Sequence, residues 1–321
     1  SPGCWLSCGV DVNVPEPIGS EERSLVHASA SASTGYYGVP LLKKPVWTWE
    51  IPTYFFIGGA AGAAAVLAES ARWSGGDARL VRDAQRLAAV GGLVSPVLLI
   101  SDLGRPERFL YMLRVFKPHS PMSMGVWTVL AFSSVSAAAA AIDIAPRHVR
   151  RSFVGRVLSR LFSMASAVTG LGMSTYTGVL LGVTAIPVWR RHVRLLPLHF
   201  AFSGLATAAS VLQLLGHRER ALGRVALAAA AVETGVGAVL ESGRSRADDP
   251  LRHGMSGRLM RAAGVLSGPV PLVLRAFGGR SRGWALAAAA SAVAGSLLTR
   301  LAWIAAGRAS AQDPREPLSL E

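Results

Sequence analysis

The chain has 321 residues, of which 51% are hydrophobic and only 16% charged, with a mean hydropathy of +0.38. Soluble domains carry about 25% charged residues, so a water-soluble globule is excluded, and the Ala, Leu, Val and Gly that replace the charge are the usual filling of lipid-facing helices. A formal charge of +14 invites a nucleic-acid partner, but the arginines fall in short clusters between apolar runs, as at Arg147, Arg150 and Arg151 and at Arg190, Arg191 and Arg194, which is how loops flank membrane spans.

Residues 1–35 read as a polar tail rich in Ser, Pro and Glu, holding the chain's two cysteines, Cys4 and Cys8. A span needs about 20 mostly apolar residues, and eight segments are candidates. The first is Pro52 to Ala71, entered through the aromatic belt of Trp47, Trp49, Tyr54 and Phe55. Leu87 to Ser101, Met122 to Ile142, Leu161 to Val188, Leu196 to Leu215 and Gly223 to Leu240 follow. The seventh, Ala262 to Phe277, is interrupted by Pro269 and Pro271, and the eighth is Trp284 to Ala306. The expected fold is therefore an all-α integral membrane protein of about eight transmembrane helices in two four-helix bundles, over residues 36–308, with a polar tail at 309–321. An even number of spans sets both termini on one side, with the loops at 102–121, 189–195 and 241–261. The glycines Gly58, Gly59 and Gly62 in the first span and Gly170, Gly172 and Gly178 in the fourth read as sites of close helix approach.

Redox cofactors of the protein's own are not expected. Membrane haems need axial ligands inside the spans, and of seven histidines only His199 lies within one, with His217 at its end. Two cysteines cannot ligate an iron–sulfur cluster or a structural zinc, so no metal site is expected. Ionisable residues at membrane depth are functional candidates by default. Glu233 falls near the middle of the sixth span, Glu69 near the end of the first, Arg300 inside the eighth, and Asp102 at the end of the second. Glu69, Glu233 and Arg300 are the proton-relay candidates. Between the second and third spans, Phe109, Leu110, Leu113 and Phe116 alternate with Arg108, Arg114 and Lys117, the pattern of a short helix lying on the membrane surface. Such basic residues can meet anionic lipid or an acidic partner. Tyr176 in the fourth span brings a hydroxyl that needs a partner, either a quinone carbonyl or a neighbouring backbone carbonyl.

Several of these stretches together resemble one family. They are Tyr36-Tyr37-Gly38, Lys44 through Pro52, Tyr54 through Gly59, and the loop Asp102 through Phe109 with Met112 through Pro118 and Ser120 through Met122. Tyr176 through Leu181, Thr184, Pro187, Trp189, Arg300, Ala306 through Ala311 and Asp313-Pro314 complete the set. Over about residues 36–315 the sequence resembles the NrfD-like family, the membrane subunits of polysulfide reductase-type complexes. The resemblance implies an eight-helix, haem-free subunit of the cell's inner membrane that binds a quinone, menaquinone or ubiquinone. It implies electron exchange between that quinone and a ferredoxin-like iron–sulfur subunit, which serves a molybdopterin catalytic subunit. It also carries over Trp47, Glu50, Asp102, Arg105 and Tyr176 as lining or rim of the quinone pocket; since a proton must accompany each electron at a quinone oxygen, Glu50 or Asp102 is the expected acid–base group.

The function expected from this reading is a quinone-handling membrane subunit with no catalysis of its own. Two other classes compete with it. A proton-coupled secondary transporter would use Glu233, Arg300 and the proline-broken seventh span as a substrate path. A purely structural anchor would only hold soluble subunits at the membrane.

Overall fold

The computed structural model describes residues 42–43, 45–243, 245–277 and 281–312, without the side chain of Arg108. The expectations placed on Cys4, Cys8, Tyr36, Tyr37, Gly38, Lys44, the tail at 1–35 and residues 313–321 lie outside these residues. Among the described residues the secondary structure is helical, without strands. Five helices are long and apolar enough to cross a membrane: α1 (Glu50–Trp73), α2 (Ala78–Asp102), α4 (Pro121–Ile144), α9 (Arg220–Ser242) and α13 (Arg282–Gln312). α6 (Phe153–Gly182) and α8 (Leu196–Leu214) are also long, at 30 and 19 residues. At 1.5 Å per residue α6 extends about 45 Å. Their serines, threonines, glycines and His199 lower their hydropathy because they form the middle of the molecule. The expected seventh span is a broken helix: α11 (Gly254–Ser267) and α12 (Pro269–Phe277) meet at Gly268. α13 continues to Gln312, past the end expected for the membrane domain at residue 308. Short pieces fill the links: α3 (Glu107–Leu113), α5 (Arg147–Arg151), α7 (Pro187–Arg191) and α10 (Asp249–Arg252).

Packing divides these helices into two rings. α1 lies on α2 and α6, and α4 closes the ring by packing on both α2 and α6. α8 lies on α9 and α13, and the broken pair α11–α12 packs on α13 and α9. The two bundles join along α1, α6 and α8. In lipid, association rests on close packing and polar glue rather than on hydrophobic burial, and both are visible at the joins. A methyl group on Gly170 of α6 would sit 2.6 Å from the Gly62 carbonyl oxygen of α1, and one on Gly204 of α8 would sit 2.7 Å from that of Gly59.

Prolines within the helices free carbonyls that hydrocarbon cannot satisfy. Pro96 inside α2 leaves the Gly92 carbonyl without its helical donor, and the Ser133 hydroxyl of α4 donates to it at 2.5 Å. Near the Gly268 break, the Leu266 carbonyl accepts from Ser291 of α13 at 2.7 Å. Between the bundle helices Gln85 donates to Ser163 at 2.9 Å, and Ser203 meets Ser296 at 2.8 Å.

One face of the double bundle, called here the Glu50 face, gathers the start of α1, the end of α2, the start of α4, the end of α6, the start of α8 and the end of α9. The opposite face is fastened by Glu69 and by His217, whose Nε2 lies 3.0 Å from Asp83.

Candidate functional site

The approach to α1 crosses the Glu50 face and is pinned at several points. The Trp47 ring stacks on Trp189 at 5.4 Å and 10°, and meets Phe55 edge-on at 6.2 Å. Its carbonyl accepts from the Arg308 guanidinium at the end of α13. Trp189 is fully buried, and its indole donates to the Trp303 carbonyl at 2.9 Å. Gly307 makes room for it, since a methyl there would overlap the Trp189 ring. The tryptophans of three distant segments thus fix where the backbone enters the first span.

Thr48, beside Trp47, ties the two carboxylates together. Its hydroxyl lies 3.1 Å from Asp102 Oδ1 and is also hydrogen-bonded to Glu50. A hydroxyl has one proton to donate and lone pairs to accept. If one carboxyl carries a proton, it donates to Thr48 Oγ1 while Thr48 donates to the other, so the trio can share a single proton. Asp102 comes into reach because α2 stops there: Leu103 caps the helix, and Gly104 turns the backbone with φ of +65°, a conformation that favours glycine. Pro106 then starts α3.

Between α1, α2, α4 and α6 lies a cleft of about 90 Å³ walled by Trp47, Tyr54, Phe55, Phe109, Met112 and Leu180, with Asp102 and Tyr176 as polar groups. Tyr54 is buried and Tyr176 half-buried. The Tyr176 hydroxyl donates to the Pro121 carbonyl at the start of α4, the backbone partner rather than a ligand. Gly125 leaves space for this ring, since a methyl there would sit 2.6 Å from the tyrosine oxygen. α3 matches the expected surface helix, but only over 107–113. Its Phe109 and Met112 close the cleft while Leu110 and Tyr111 face outward, and Phe116 packs edge-on to Trp127 beyond its end.

Of the residues expected here, the structure brings together Trp47, Asp102 and Tyr176, and joins Glu50 to them through Thr48 rather than through the cleft wall. Arg105 does not line the cleft; it is exposed on the turn after Asp102. The flat aromatic walls, two tyrosines and one carboxylate make a donor and acceptor set that suits a planar ring bearing two oxygens.

The remaining candidates lie elsewhere. Glu69 sits near the far end of α1, buried and fully engaged. Trp73 donates to it at 2.5 Å and Ser163 at 2.6 Å, and Arg72 and Arg160 stand 3.8 and 3.9 Å away. That set of partners is reason enough for a carboxylate there: it locks α1 to α6. Glu233 and Arg300 both lie in the second bundle, fully enclosed. They form no ion pair within 4.0 Å among the described residues. Arg300 is held instead by Phe200, whose carbonyl accepts from Nη2 at 3.0 Å and whose ring lies 4.0 Å beneath the guanidinium.

Thr48, Trp303 and the His192–Asp248 pair were not anticipated. His192 Nε2 meets the buried Asp248 at 2.9 Å, and Arg191 reaches the other carboxylate oxygen at 3.3 Å. Burial pushes the His192 pKa below its ordinary 6.5, against the pull of Asp248 in the other direction. The pair clasps the α9–α10 link to the entry of α8. A Trp-Thr-Trp-Glu string just before a span was the available signal for Thr48; nothing local marks Asp248.

Comparison with known proteins bears on the same region. The profile of the family described as "Polysulphide reductase, NrfD" matches residues 40–224. A curated relative, the C subunit of polysulfide reductase from Wolinella succinogenes, is 27% identical over 189 residues. That alignment covers 53% of the present sequence and 58% of the relative's own length. Both the cleft and the Trp47–Trp189 stack fall inside the family match.

Proposed function

Because the protein belongs to the NrfD family of polysulphide reductase proteins, we propose that this multi-pass membrane protein is the quinone-handling subunit of a multi-subunit oxidoreductase. The cleft beside Asp102 is the quinone site, and menaquinone or ubiquinone is its ligand. A ferredoxin-like iron–sulfur subunit docks on the Glu50 face and connects to a molybdopterin catalytic subunit, in the inner membrane. The observation that carries the reading is the Glu50–Thr48–Asp102 trio placed at the mouth of an aromatic cleft.

A bound quinone supplies two-electron chemistry that takes up or releases two protons. The protein's part is to hold the ring and to manage the protons. Trp47 and Phe55, set edge to face, wall the ring on its apolar side. Tyr54 and Tyr176 offer hydroxyl donors to ring oxygens, with Tyr176 exchanging its Pro121 partner for the ligand. Asp102 gives or takes a proton at the ring oxygen nearest it, and Thr48 passes the proton to Glu50 at the water boundary. General acid–base groups placed this way contribute typically 10²–10⁴-fold. The exposed Arg105, Arg114 and Lys117 give this face a positive rim suited to anionic lipid headgroups and to an acidic partner surface.

The test is quinone-coupled turnover of the purified complex carrying Glu50→Gln or Tyr176→Phe. Turnover should fall steeply while the subunits still assemble. If Glu50, Asp102 and Tyr176 can all be replaced without loss, the protein is an anchor. If the isolated protein moves a solute across vesicles without partners, it is a transporter.

A further inference from the structure

The second bundle contains a larger cavity that the cleft does not explain. It measures about 270 Å³ and lies between α9, α11 and α13, with His199 of α8 at its inner end. Its inner wall carries Glu233, His199, Thr299 and Trp303, and its outer part carries Glu241 and Arg261. Glu241 is almost at the end of α9 on the Glu50 face, so the cavity runs inward from that face along the helix. Glu233 lies eight residues deeper, about 12 Å at 1.5 Å per residue.

What distinguishes the inner end is unmet hydrogen bonding. Both carboxylate oxygens of Glu233, Nδ1 of His199 and the indole nitrogen of Trp303 are buried and meet no partner at full hydrogen-bond geometry among the described residues, although the Ser203 and Ser267 hydroxyls stand beside the Glu233 carboxylate. Glu233 is 2% exposed, His199 6% and Trp303 1%. The charged and titratable groups that face this region are His199 from α8, Arg261 from α11 and Arg300 from α13, with Glu241 on α9 itself and Arg252 of α10 bonded to the Glu241 carbonyl at 2.8 Å. Arg300 gives Nη2 to the Phe200 carbonyl, while its Nε and Nη1 are buried without a partner among the described residues. Arg261 donates to the Arg252 carbonyl at 2.8 Å. None supplies a direct bond to Glu233.

A buried polar atom left unpaired is costly, and several around one space argue against a dry cavity. Polar, roomy cavities in proteins hold ordered water, each molecule with two to four partners and roughly 30 Å³ of liquid volume. The space here accommodates several beside the Glu233, His199, Thr299 and Trp303 side chains, while Leu240, Leu251, Met260 and Val265 give much of the rest an apolar wall. We propose that this cavity is a water-filled proton well, in which a file of water molecules lets Glu233 exchange protons with the aqueous phase on the Glu50 face. Its ligand is water and the proton it carries. The well is separated from the quinone cleft by the Trp47–Trp189–Trp303 row, and it does not depend on the quinone reading.

The test uses the full-length protein in membrane vesicles of both orientations, with Cys4 and Cys8 changed to Ser. Thr299→Cys places a thiol in the inner wall, Leu227→Cys places one on an outward apolar surface of the same bundle, and Ser101→Cys marks the Glu50 face. Silver ion, a thiol probe close to water in size, should react with Thr299→Cys from the side on which it reacts with Ser101→Cys, read as protection from maleimide after denaturation, and should leave Leu227→Cys unmodified. In the purified protein, a protonated-carboxyl infrared band should shift promptly in D₂O and vanish in Glu233→Gln. Failure of Thr299→Cys to react, reaction from the opposite side only, or a carboxyl band that ignores D₂O overturns the proposal. Should Glu233→Gln fail to fold, the thiol experiment decides alone.

Discussion

The two cavities lie on the same side of the bundle but treat their polar groups in opposite ways. In the cleft of the first bundle Asp102, Glu50 and Tyr176 already have protein partners: Asp102 and Glu50 have Thr48, and Tyr176 has the Pro121 carbonyl. In the second bundle the Glu233 carboxylate oxygens, His199 Nδ1 and the Trp303 indole nitrogen meet no partner at full hydrogen-bond geometry among the described residues. A site whose groups are held in waiting bonds is pre-organised for a ligand that arrives and exchanges with them. A site whose groups point at open space is built to stay solvated. Aromatic side chains keep the two apart, for Trp47 borders the first cavity, Trp303 borders the second, and Trp189 is packed between them.

The comparison breaks most directly at Asp102. Asp102→Asn keeps the shape of the side chain and removes the proton exchange, so quinone-coupled turnover of the complex should fall by about 10²–10⁴-fold. Thr48→Val should give a smaller loss with an altered pH profile, because Asp102 remains but its link to Glu50 is cut. The two changes share one network, so the double variant should lose less than the product of the single effects. Equal, independent losses would show that Thr48 only shapes the backbone.

The partition offers the next test. Trp189→Ala removes a fully buried indole that supports both cavities, and truncations of this kind cost about 3–5 kcal/mol. The melting temperature of the detergent-solubilised protein should drop accordingly. Trp189→Phe retains most of the stacking and forfeits the 2.9 Å bond to the Trp303 carbonyl, a loss of roughly 0.5–1.5 kcal/mol. If both variants melt like the parent, the tryptophan row is not what holds the two bundles in register.

How much of this could be read beforehand follows from the distance between partners. The long helices were legible because hydropathy is a property of contiguous residues, and Asp102, Trp47 and Tyr176 because they lie in recognisable strings. The ends of α6 and the true start of the broken span were not: α6 begins at Phe153 with two arginines in its first turns, and α11 begins at Gly254 among polar residues, where hydropathy is silent. Glu50 was expected at the lining or rim of the pocket, but its link to Asp102 through Thr48, a threonine 54 positions from Asp102, was not legible. Arg105 follows Asp102 closely in sequence, yet the left-handed turn at Gly104 sends it away from the cleft. The Trp189–Trp303 bond spans 114 positions. Such pairs are set by helix packing, which no local pattern encodes.

The smallest effect concerns the clasp over the second bundle's entrance. His192 is buried against Asp248 and packs edge-on to Trp303 at 6.0 Å. Its folded pKa is lowered from 6.5, burial outweighing Asp248, so the folded protein binds a proton there less readily than the unfolded one does. Stability is therefore full above about pH 6.5 and declines as the pH falls from there toward the folded value, where it levels off. The decline is worth roughly 1.4 kcal/mol for each pKa unit separating the two states. Thermal melts of the purified protein across that window should show the loss, and His192→Gln, which can still donate to Asp248 but does not titrate there, should flatten it. An unchanged slope in that variant would assign the acid sensitivity to other groups, and a parent protein that grows more stable on acidification would mean that Asp248, not burial, governs the histidine.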